Sequence, residues 1–194
     1  MRTTRAMAAG AVALALVVGG AGCGAIAEKA TEKAVEKATG CEDIDASGEQ
    51  VGAECDGVSA NVDADGNVAV TDEDGNSIDA SADGSAALPE GWPAELAPPA
   101  DARITSATVS GDDLGLTAAL DGDVAEVFSA IKGQLEQAGY TIESDTVADA
   151  AEGTVASATA SGPDLDATVS VTSNVGDTSL GSVLVVYNLT RAAG

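Results

Sequence analysis

Asp-Gly pairs punctuate residues 41–87 at a fixed interval. Asp65-Gly66-Asn67 recurs as Asp74-Gly75-Asn76, and Asp83-Gly84-Ser85 follows nine residues later. Short runs with isolated apolar residues stand between and before them: Val58–Val62, Asn67–Thr71 and Ser77–Ser81. Asp-Gly accepts the positive backbone angles of a tight hairpin turn. The spacing therefore predicts a small three-stranded meander. Its apolar content is low, so its own core is meagre.

A segment with four of the chain's five prolines follows, Leu88 to Ala100, LPEGWPAELAPPA. It reads as a linker or an extended strap between two regions. Residues 101–194 carry stronger signals. Arg103–Ser110 and Leu114–Leu120 are expected strands around Gly111-Asp112-Asp113. Asp123 is an expected N-cap with Glu126 three residues on. Val124, Val127, Phe128, Ile131, Leu135 and Ala138 form one stripe at helical spacing, and Gly139 ends it. Tyr140–Glu143 opens a strand, and Thr154–Ala160, Leu165–Thr172 and Ser182–Thr190 are further strands. This order predicts an α+β fold, an antiparallel sheet with one helix packed across one face. Many Ser, Thr and Ala fall on the opposite face.

The N-terminus describes a destination. Arg2 and Arg5 precede an uncharged run, Ala6 to Gly22, that ends at Cys23. About 17 residues rich in Gly and Ala are short for a membrane span, and the pattern is that of a secretory signal. Gly20-Ala21-Gly22-Cys23 resembles a bacterial lipoprotein signal, with Gly20 where Leu, Val or Ile is usual. That resemblance implies cleavage after residue 22 and acylation of Cys23. Ala25-Ile26-Ala27 offers an alternative cut that would release the chain, and an uncleaved anchor is the third reading. With Cys23 acylated, Cys41 and Cys55 remain as a pair. An exported chain meets an oxidising compartment, so a disulfide is expected there. Residues 25–39, AIAEKATEKAVEKAT, repeat E-K-A-x three times and are strong helix formers. Their apolar stripe of Ala30, Ala34, Val35 and Ala38 is thin, so the expectation is a solvated spacer about 20 Å long.

The layout is similar to uncharacterised exported lipoproteins common in actinobacteria. The shared features are the anchored Cys23, the AEKA-type helix, the Asp/Gly strand region, LPEGWP, and a ββα unit ending Leu135-Glu136-Gln137-Ala138-Gly139-Tyr140. The resemblance implies no activity. The expected organisation is a signal peptide over 1–22 and a lipid-anchored helical spacer over 23–40. A disulfide-stapled acidic β region over 41–87, a Pro-rich linker over 88–100 and an α+β domain over 101–194 complete it.

Composition narrows the chemistry. There is no His, which removes the commonest general base and zinc ligand. Net charge is −24, from 32 acids against 8 bases, and this argues against nucleic acid as a partner. Loss of residues 1–22 removes two Arg and no acid, taking the charge to −26. No G-x-S-x-G, S-x-x-K or phosphate loop occurs, and no cofactor is expected. The sharpest candidate ligand is calcium. Asn61, Asp63, Asp65 and Asp72 follow the spacing of a calcium loop, although hairpin turns in an acidic chain generate the same spacing. Trp92 is either an anchor for the strap or an interaction platform. The expected role is a non-catalytic envelope module, anchored to the membrane through lipid and contacting an envelope protein. A calcium-dependent module is the alternative.

Overall fold

A computed structural model describes residues 42–45, 51–55, 57–63, 65–150, 153–173 and 179–192. The signal segment, Cys23, residues 25–39 and Cys41 lie outside the described residues.

The Asp-Gly interval sets the first half of the fold. β1 (Glu42–Asp45), β2 (Val51–Cys55), β3 (Val58–Val62), β4 (Val68–Asp72) and β5 (Ser77–Ala80) pair in sequence order, all antiparallel. Gly57, Gly66, Gly75 and Gly84 lie nine residues apart, with φ of 82°, 84°, 84° and 83°. Nine residues hold one short strand and one tight reversal, so each unit sends the chain back antiparallel. The meander has five strands rather than the expected three. β1 and β2 read EDID and VGAEC, too polar and short for a strand signal.

The meander is not a separate layer. β5 pairs with β6 (Arg103–Ser110) through Ser77↔Val109 to Ala80↔Ser106. β6 pairs with β7 (Asp113–Leu120), and one sheet runs β1-β2-β3-β4-β5-β6-β7-β11-β10-β9-β8. β8 (Thr141–Ala150), β9 (Gly153–Ser161), β10 (Leu165–Ser173) and β11 (Val183–Arg191) are a second meander, which returns β11 to β7. β7 and β8 run parallel with three strands between them, so their connection must cross the sheet. The helix α1 (Val124–Gln137) makes that crossing and packs on β8, β9 and β10. The fold is α+β: an antiparallel sheet with one helix across one face.

The helix begins and ends where its caps require. Asp123 accepts from the Ala125 and Glu126 N–H groups at 2.8 and 3.4 Å. At the other end the Tyr140 N–H reaches the Leu135 carbonyl and the Gly139 N–H reaches that of Glu136, with Gly139 at φ 88°. Val124, Phe128, Ile131 and Leu135 are buried, and Val127 and Ala138 lie at the margin of the same stripe. Beneath them stand Ala156, Ala158 and Ala160 of β9, all at most 2% exposed. Large helix side chains meet small sheet side chains, which lets the helix lie close. Asp123→Ala removes the acceptor for two orphan N–H groups and is expected to cost about 1 kcal/mol. A urea melt followed by circular dichroism checks this, and an unchanged midpoint would contradict the capping role.

The proline segment completes the same core. It packs as a strap on the helix side of the sheet, with a short 3-10 turn at Ala94–Leu96. Leu96 is 1% exposed. The Gln134 side-chain amide on α1 donates to the Glu95 and Ala97 carbonyls at 2.9 and 2.8 Å. Both outer strands are acidic, EDID in β1 and TIESDTVADA in β8, which discourages edge-to-edge pairing with other chains.

Candidate functional site: acidic turns, the strap and the open sheet face

The carboxylate of each acidic turn is hydrogen-bonded within the turn. Asp63 Oδ1 accepts from the Asp65 and Asn67 N–H groups, both at 2.9 Å, and its Oδ2 accepts from the Asn67 amide at 2.9 Å. Asp72 repeats this with Asp74, Asn76 and the Asn76 amide at 3.0, 2.8 and 2.7 Å. In the third turn Ser81 stands where the first two have Asp. Its hydroxyl donates to Asp83 at 2.5 Å and accepts from the Ser85 N–H at 2.9 Å.

These bonds stabilise the charged carboxylates. Asp63 is held below its ordinary value of 3.8 first by the Asn67 N–H and then by the Asn67 amide. Asp72 is lowered first by the Asn76 amide. The Ser81 hydroxyl, then that of Ser85, lowers Asp83. A carboxyl lowered on folding contributes stability above its unfolded value and loses it as pH falls through the folded one. The turns are therefore expected to be at full strength above about pH 4 and to weaken below it. An Asp63→Asn, Asp72→Asn double variant checks this: its stability deficit relative to wild type should shrink between pH 4 and pH 2 in urea melts. A deficit constant across that range would contradict it.

The calcium expectation meets a geometric obstacle. Asp63 and Asp65 sit in the β3–β4 turn and Asp72 in the β4–β5 turn, at opposite ends of β4. Five residues of strand separate them by roughly 16 Å. Asn61 lies on β3 and borders a shallow cleft of about 280 Å³ with Asp63 and Asp79. The structure does not bring Asn61, Asp63, Asp65 and Asp72 together, and no cluster of three or more metal-ligating side chains forms among the described residues. The spacing that suggests a calcium loop belongs instead to the capping of successive turns.

Trp92 is an anchor in this geometry. Its indole N–H donates to the Leu96 carbonyl at 3.0 Å, closing the strap on itself. Its ring meets Tyr187 edge-on, with centroids 5.9 Å apart at 90°. Tyr187 on β11 is 1% exposed and its hydroxyl has no hydrogen-bond partner among the described residues. Burial pushes that hydroxyl's ionisation well above the usual range. Cys55 is disulfide-bonded. Cys41 and Cys23 lie outside the described residues.

The face of the sheet away from α1 and the strap is the most distinctive surface. Residues opposite one another in a ladder share a face. On β6–β8 one row reads Ser106, Thr117, Val186, Ser170, Ser157, Thr146, and the next Thr108, Gly115, Asn188, Thr168, Thr159, Ser144. Neither row holds a charge, in a chain with 32 acids. Gly115 is required there, because the Thr108 side chain occupies the place of its Cβ. Ser144 and Thr159 join hydroxyls at 2.8 Å. Sequence periodicity marks Ser and Thr as facing away from the helix, but only the register reveals that they form continuous rows.

Comparison with protein-family models, with curated proteins and with solved structures found no match. The functional reading therefore rests on the residues and the geometry above.

Proposed function

We propose that the protein is an extracytoplasmic lipoprotein, held at the membrane by acyl chains on Cys23, that binds an envelope protein without catalysis. The observation that carries the binding role is the pair of uncharged Ser/Thr rows at the centre of that face of β6–β11, bordered on one side by a row that holds Asp113 and Asp166. Central rows without charge, in a chain this acidic, suit a partner that must be approached without repulsion. The acidic remainder keeps an anchored protein from adhering elsewhere. The disulfide at Cys55 supports an oxidising compartment, and the apolar run ending at Cys23 supports the anchor. Among the described residues no helix is long and apolar enough to cross a membrane.

Feeding cells alkyne-tagged palmitate tests the anchor. Wild type is expected to take up label and sediment with membranes, and Cys23→Ser to lose both. Label retained in Cys23→Ser, or unlabelled wild type in the soluble fraction, would overturn it.

A further inference from the structure

The apolar side of the sheet changes face between β5 and β6. On β2–β5 the open face carries Ala53, Ala60, Val70 and Ile78 in one row, with Val62, Val68 and Ala80 in the next. The helix side of the same strands carries Glu54, Asn61, Thr71 and Asp79. On β6–β11 the core lies on the helix side. The β2–β5 rows run directly into the Ser/Thr rows, because Ile78 pairs with Thr108 and Ala80 with Ser106. Ile78 is 51% exposed and Val58 37%. A sheet face this apolar calls for a covering layer, and among the described residues α1 and the strap lie on the other side.

Size selects the occupant. Four strands at about 4.8 Å spacing and five residues at about 3.3 Å give a patch of roughly 300 Å². A stable dimer buries about 800 Å² per partner, so this patch is too small for a second copy. A 15-residue helix is about 22 Å long and about 10 Å across, which matches it. Residues 25–39 have that length and lead into β1 through Gly40 and Cys41 alone. At helical spacing Ala27, Ala30, Ala34, Val35 and Ala38 share one side, and every Glu and Lys takes the other. Small residues on this helix suit the Val and Ile of the strands, the reverse of the large-helix, small-sheet packing beneath α1.

We propose that residues 25–39 form a helix that folds back over the open face of β2–β5, rather than a solvated spacer. The fold then has one helix on each face, at opposite halves of the sheet. Cys23 is brought to the sheet, and the Ser/Thr rows of β6–β11 are the part of the open face left free.

Hydrogen exchange read by mass spectrometry, on the protein as cells process it, tests this. A helix of this length is marginal alone, so strong protection reports docking. Amides in 29–39 are expected to exchange on the order of tenfold or more slower than an unstructured chain. Ala34→Glu, which leaves the sheet untouched, and Ile78→Asp should each return them to unstructured rates without changing α1. Unstructured rates in wild type would overturn the proposal. So would protection that survives both substitutions, or protection that vanishes on dilution, which would assign the face to a second copy.

Discussion

Tyr187→Ala is expected to lower stability by about 3–5 kcal/mol, and Tyr187→Phe to raise it by about 1 kcal/mol. The opposite signs come from the two ends of one side chain. The ring sits on β11, between β7 and β10, and packs edge-on against Trp92. Truncation to Ala empties the centre of the core and releases the strap's anchor. The hydroxyl is buried without a hydrogen-bond partner among the described residues, so it has lost water and gained nothing. Phe keeps the ring and removes that cost. Urea melts of the three proteins decide the matter. A destabilised Tyr187→Phe would mean that the hydroxyl is bonded to an internal water.

Cys55→Ser is expected to cost about 3 kcal/mol, the chain-entropy value for a loop of about 15 residues, if Cys41 is its partner. Glu42, next in sequence to Cys41, pairs with Glu54, next in sequence to Cys55. Cys41→Ser should then match Cys55→Ser, and Cys23→Ser should leave the melt unchanged. The loss should appear first in exchange at β1 and β2, far from α1. Equal melts for Cys55→Ser and wild type would contradict the stabilising role, and a Cys23→Ser deficit would contradict the pairing.

Features that announce themselves within a few residues were legible in the sequence. The Asp123 cap, the Phe128–Ile131–Leu135 stripe and Gly139 define α1, and each Asp-Gly turn marks a hairpin. Longer-range features were not. Nothing local tells Ser77–Ala80 to pair with Arg103–Ser110 across more than twenty intervening residues, so two regions looked separate where there is one sheet. The alternation of Val58, Ala60 and Val62 shows an apolar face, but only the register through β5 and β6 shows it opposite α1. Asp63 and Asp72 illustrate the converse hazard: a ligand-like spacing arises because each carboxylate caps its own turn. Trp92 was legible as an anchor only by its setting, and the stranded hydroxyl of Tyr187 had no sequence signal.

The binding face is tested most directly by a photo-cross-linking residue placed at Thr168, an exposed site on the Ser/Thr face, and at Glu136, an exposed site on α1, in living cells. The account predicts a discrete adduct with an envelope protein from position 168 and none from 136. The same adduct from both positions, or none from 168, would contradict it.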